Sequence, residues 1–204
     1  MPASSESSHV SKKLRVYVPA TVPMLRELVA DREIRALNDT AFAVTPALRE
    51  SYASGDDEEL AEVAMAEAAR ASLRLLAEEG ALEDSRGAAP ADDAESGGAE
   101  SGDAEPPRGP IFRRAVIAAD VDGAALRPDL DDAVVRLSGP IPYDSIASVH
   151  VDLAEAESEV AKAVDVIDAA DMGDPDAEFV LGDAEDHQLA WYAAQELPFL
   201  LDLL

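Results

Sequence analysis

Between Glu83 and Pro110 the chain carries no large aliphatic residue and no aromatic residue. The stretch runs on Ala, Gly, Ser, Pro, Asp and Glu, as in Asp92-Asp93-Ala94-Glu95-Ser96-Gly97-Gly98. Such a segment buries too little apolar surface to offset its ordering entropy, so it is expected to be a disordered insert. Residues 1–12, with Ser4, Ser5, Ser7 and Ser8, read as a second disordered stretch, a polar tail. Whatever folds is therefore assembled from two apolar segments, 13–82 and 111–204.

The first segment offers only two clear strands, and a two-stranded sheet is marginal alone. An insert of this length spans roughly 29 Å as a flexible coil. A folded body of this size has a radius of gyration of about 15 Å, so the two segments can reach one another. One shared domain is expected.

Within it, Leu14-Arg15-Val16-Tyr17-Val18 alternates as a strand and ends at Pro19. Thr21 before Val22-Pro23, and Thr45 before Pro46, each read as a helix cap followed by an early-turn proline. Ala41-Phe42-Ala43-Val44 is a second strand. Gly55-Asp56-Asp57 opens a long, alanine-rich helix to about Glu79, with acids at its positive end. Three further strands are expected at Phe112 to Ala119, Ala133 to Leu137 and Ala147 to Val151. The proline-rich Gly139-Pro140-Ile141-Pro142 is excluded from any central strand. A helix from about Ala154 to Ala169 turns Ala156, Val160, Val164 and Ile167 inward. Asp174-Pro175-Asp176 ends it, Phe179-Val180-Leu181 suggests a short strand, and Asp183 with Asp186 would open a last helix to about Leu197. The fold class is α/β, bordering on α+β. It would be a mixed sheet of about five strands packed by four to five helices.

Composition narrows the function. Sixteen Lys and Arg against 43 Asp and Glu give a formal net charge of −27. Direct nucleic-acid binding is disfavoured, because it depends on basic groups neutralising phosphates. Anionic membrane surfaces are disfavoured for the same reason. A basic protein partner or self-association remains as the partner class. With no cysteine, the chain has no disulfide, thiolate metal site or cysteine nucleophile. The polar start does not resemble a secretory signal, and no apolar run approaches the roughly 20 residues of a membrane span. A cytoplasmic location is expected.

Several segments resemble an uncharacterised actinobacterial family of acidic α/β proteins of unknown function. They include Arg15-Val16-Tyr17-Val18-Pro19-Ala20-Thr21, Thr40 to Glu50, Ala68 to Leu76 and Ala118-Ala119-Asp120-Val121. Val149-His150-Val151-Asp152 and Glu185-Asp186-His187 with Trp191-Tyr192 and Gln195-Glu196-Leu197 complete the likeness. The resemblance implies no activity, cofactor or partner.

No phosphate-cradling glycine loop, Gly-x-Ser-x-Gly or His-Glu-x-x-His occurs. No catalytic residue and no cofactor is assigned, and the balance leans against an enzyme. Of three histidines, His9 lies in the tail. His150 and Asp152 share one face of an expected strand, and Glu185 stands beside His187. Were these four to converge, nitrogen and oxygen donors could hold a divalent metal and activate water, the basis of an alternative reading as a small metal-dependent hydrolase. The acids at Asp120, Asp122, Asp129, Asp131 and Asp132 are better explained as soluble loops. The leading expectation is a non-catalytic interaction or regulatory protein. In the expected last helix, Leu189, Tyr192, Ala193 and Leu197 face inward, leaving His187, Trp191 and Gln195 for a partner. The apolar terminus adds Phe199 and Leu200. From His150 onward 15 acidic residues stand against one basic residue, Lys162, a field that draws basic partners.

Overall fold

A computed structural model describes residues 13–87 and 111–204. The disorder expected for 1–12 and for most of 83–110 lies outside the described residues.

Strand β1 (Leu14–Ala20) leads into helix α1 (Val22–Asp31), with Thr21 as N-cap and Pro23 in the first turn. Strands β2 (Glu33–Ile34) and β3 (Thr40–Phe42) follow, then helix α2 (Pro46–Ser51), capped by Thr45. The long helix α3 (Asp57–Gly87) begins on a reciprocal cap. The Asp56 carboxylate accepts from the Glu58 and Glu59 amides, while the Glu59 carboxylate accepts from the Asp56 amide. Its backbone continues five residues past the start expected for the insert, through Gly87. After residue 110 come β4 (Ala115–Val121), β5 (Ala125–Leu126), β6 (Val134–Arg136), β7 (Ile141–Pro142) and β8 (Ile146–Val151). Helices α4 (Glu157–Asp171) and α5 (Pro175–Glu185), strand β9 (Ala190–Ala193) and helix α6 (Leu197–Asp202) complete the chain.

The α/β fold is built on a seven-stranded sheet ordered β5-β6-β3-β1-β4-β8-β9, with a small β2-β7 ladder beside it. Every neighbouring pair is antiparallel, in place of the mixed sheet of about five strands expected, and the two strands from before the insert, β3 and β1, lie side by side between strands from after it. The Ile141-Pro142 pair stays outside the main sheet, as its prolines require.

The sheet's two faces follow from strand alternation. Val16, Val18, Ala115, Ile117, Val149 and Val151 point to one side, where α1 and α6 close over them with Leu25, Leu28, Leu197 and Leu200. Tyr17, Val116 and Ala118 point to the other, under Leu60, Ala64, Ala68 and Ala69 of α3. Farther along, α3 leaves the sheet and packs Leu73 and Leu76 against Val160, Ile167 and Leu181 of the α4–α5 pair. Buried Ser72 fixes the crossing. Its hydroxyl donates to the Ala20 carbonyl at 2.7 Å and accepts from the Ala115 amide at 3.1 Å, joining α3 to the ends of β1 and β4. Bidentate pairs of Arg70 with Glu178 and Arg74 with Asp171 tie the same helix to α5 and α4.

The last quarter departs from the sequence reading. Phe179-Val180-Leu181 lies inside α5, with Asp174 accepting from the Asp176 and Ala177 amides as its N-cap. A three-residue apolar run cannot distinguish strand from buried helix. The expected helix from Asp183 to Leu197 is replaced by a loop, the edge strand β9 and a new helix start at Leu197. Ala190-Trp191-Tyr192-Ala193 satisfies a period of two as well as 3.6, and pairing with β8 supplies the backbone partners that decide it. Pro198 then stands in the first turn of α6 instead of ending a helix. Among the described residues no helix is long and apolar enough to cross a membrane.

Candidate binding cleft

Two cavities open on the α3 side of the sheet, along the flank of that helix. The larger, about 590 Å³, lies between α3 and the loop from Glu185 to Leu189. The smaller, about 250 Å³, lies over β4, β8 and β9 and is bordered by Tyr17, Ser148, His150 and Trp191. Glu62 and Met65 line both, so the cavities adjoin along one flank of α3. Alanines on that helix let it sit close to the sheet centre, and the cavities open along its flank toward β8 and β9.

The base of the larger cleft is Arg114, whose side chain is only 2 % exposed. Its guanidinium donates to both Asp152 oxygens at 2.8 Å, and its backbone amide donates to Asp152 Oδ2 at 2.9 Å. A further bond at 2.8 Å reaches the His187 carbonyl. One arginine thereby fastens the start of β4, the end of β8 and the loop before β9. Arg70 on the cleft wall is shared among Glu178 at 2.8 Å, Asp171 at 3.6 Å and Glu185 at 3.8 Å. Glu67 is half-buried, and burial followed by the nearby Asp131 carboxylate pushes its carboxyl above the ordinary glutamate value, Glu185 adding to the rise against Arg70 and Arg74. Among the described residues neither Glu62 nor Glu67 has a hydrogen bond or ion pair.

The four residues considered for a metal take separate places. Asp152 is committed to Arg114 inside the protein. His150 shares a 3.1 Å hydrogen bond with Ser148 in the smaller cavity, and burial lowers its pKa, favouring neutral imidazole. Glu185 faces Arg70, and His187 Nε2 lies 3.7 Å from Glu159. Among the described residues no group of three or more His, Asp or Glu side chains could hold a metal ion. Same-face alternation put His150 and Asp152 together, but Asp152 lies just past the end of β8 and turns to the arginine.

The five residues considered for a partner divide as well. His187 lines the larger cleft, and Trp191, 60 % exposed, stands at the smaller. Trp191 gains its exposure from strand alternation, since Tyr192 takes the inward side, and not from the helical geometry first expected. Gln195 is exposed in the turn after β9. Leu200 is buried on the inward side of α6; Phe199 is exposed, but on the same helix, which covers the opposite face of the sheet. The sequence reading missed Arg114 altogether. Its signal was slight: a basic residue at the entrance to an apolar strand, in a chain where acids far outnumber bases.

A model for a family of unknown function, DUF6912, matches residues 14–201. The chain belongs to that family. The match in this DUF6912 protein spans every element from β1 into α6, so the cleft and the sheet beneath it lie within the matched region. Comparison with curated proteins and with solved structures finds no match.

Proposed function

We propose that the protein is a non-catalytic, cytoplasmic interaction protein that takes a basic segment of a protein partner along the flank of α3. The observation that carries this reading is Trp191, largely exposed on an edge strand at the mouth of a cavity. Tryptophan is enriched where interfaces are anchored, because one ring supplies much contact area at little entropic cost. The surroundings favour a cationic partner. Arg15 is already paired with Asp120 at 2.7 and 3.0 Å, while Glu62 offers an unpaired carboxylate beside the ring. A guanidinium or ammonium stacked on Trp191 would gain cation–π attraction as well as the field of the acidic chain.

The test uses Trp191 as its own reporter, since it is the one tryptophan of the sequence. Co-purified partners are to be identified, and their basic segments titrated while tryptophan fluorescence is followed. Binding that perturbs the emission, weakens with salt and is lost in Trp191→Ala supports the proposal. Equal partner recovery by the variant, or affinity indifferent to salt, rejects it.

A further inference from the structure

The larger cleft has a property that the partner reading does not use. Its volume, about 590 Å³, is that of a small-molecule site, and its lining is both apolar and charged. Met65, Ala69 and Leu189 supply hydrocarbon surface, and Glu62, Glu67 and Glu185 supply carboxylates. Both arginines in the lining have their charge met from behind, Arg114 by Asp152 and Arg70 by three separate acids. A phosphate or carboxylate ligand would therefore meet no free cation, and it would face the Glu62 and Glu67 carboxylates, which make no hydrogen bond or ion pair among the described residues. Glu67 is the clearest sign. It has lost part of its hydration without gaining a hydrogen bond or an ion pair among the described residues, an arrangement that costs free energy until a counter-charge arrives.

We propose that this cleft binds an alkylammonium group, with its charge between Glu62, Glu67 and Glu185 and its hydrocarbon chain over Met65, Ala69 and Leu189. The cavity selects a compact charge on a slender aliphatic stem. That chemistry belongs equally to a lysine side chain and to a free polyamine. The inference stands apart from Trp191, which lines only the smaller cavity.

Calorimetric titration of the full chain with spermidine, and separately with a short lysine-containing peptide, distinguishes the two sources. Amide chemical-shift changes locate the site. Saturable binding with shifts confined to residues 62–70 and 185–189 is expected for at least one ligand. Spermidine alone identifies a free amine; the peptide alone identifies a protein-borne lysine. Glu67→Gln, which keeps the side-chain shape, should weaken binding about tenfold, the loss of one charge-assisted contact. Ala66→Lys, at an exposed lining position, should abolish it by placing a tethered ammonium in the cleft. Phe199→Ala, exposed on the helix over the opposite face of the sheet, should leave spermidine affinity unchanged, and shifts at residues 62–70 and 185–189 rather than around Trp191 separate this site from the partner reading. Absence of binding by both ligands overturns the proposal. So does equal affinity in Glu67→Gln with shifts scattered over the acidic surface, the mark of a diffuse counter-ion cloud.

Discussion

The two faces of the central sheet are made by the same strands, yet one is sealed and the other is not. On the α1–α6 side the inward residues are aliphatic, and Val16, Val18, Ile117, Leu25 and Leu197 are fully buried. On the α3 side the corresponding positions of β8 and β9 are Ser148, His150 and Trp191, and among the described residues they line a cavity with α3 at its border. The difference teaches that burial is set by side-chain choice at alternate positions, and not by the strands themselves. Where the alternation places polar and aromatic groups, the covering helix ends its contact and a cavity begins.

Arg114 is the strongest point at which to break the open face. Replacing it with Met leaves Asp152 charged and buried without a partner. A loss of about 3–5 kcal/mol in unfolding free energy is expected by denaturant titration. A loss below about 1 kcal/mol would mean that water already reaches the pair. The sealed face comes next. Leu197→Ala, at a fully buried site, should cost about 2–5 kcal/mol, whereas Phe199→Ala on the same helix should stay within about 0.5 kcal/mol. Similar values for the two would refute the orientation of α6. Ser72→Ala should cost about 1–3 kcal/mol, because the Ala115 amide and Ala20 carbonyl lose their shared partner.

The smallest effect is a dependence on pH. The Glu67 carboxyl is raised by burial, so the folded chain holds that proton more tightly than the unfolded chain does. Its ionisation therefore lowers stability, fully above the raised value and not at all below about pH 4. Glu67→Gln should melt slightly higher than the parent at neutral pH, and the gap should vanish on acidification. A gap that widens toward low pH has the wrong sign for a buried, unpaired acid. Ligand linkage runs the other way: an alkylammonium favours the ionised carboxylate, so its affinity should fall as acid protonates Glu67, around which stand the ionisable groups Glu62, Glu185, Asp131, His187, Arg70 and Arg74.

Much of this architecture could be read from local signals. The Thr21 and Thr45 caps and the acids before α3 each act within a few residues, and each is found in place, whereas Pro19 does not end β1, which pairs with β4 through Pro19 to Ala20. The segment from Phe179 to Leu197 was misread because short apolar runs there satisfy two periodicities at once. Only pairing with β8, a tertiary event, selects the strand. The site was less legible than the fold for the same reason. Asp152 finds Arg114 across 38 positions of sequence, and no spacing rule relates them. Trp191 was rightly singled out as exposed, for a helical reason that does not apply.

Strand order also governs when the protein can form. In residues 13–87, β1 has β3 as its only neighbour, through a single register pair of Tyr17 with Phe42. Its long ladder is made with β4, from Leu14 opposite Val121 to Ala20 opposite Ala115. During synthesis the most hydrophobic strand of the amino-terminal half must wait for a mate about a hundred residues behind it, and loop closure over that distance slows folding. A nascent chain halted before β4 emerges would expose an unpaired apolar ribbon, the kind of surface that chaperones hold.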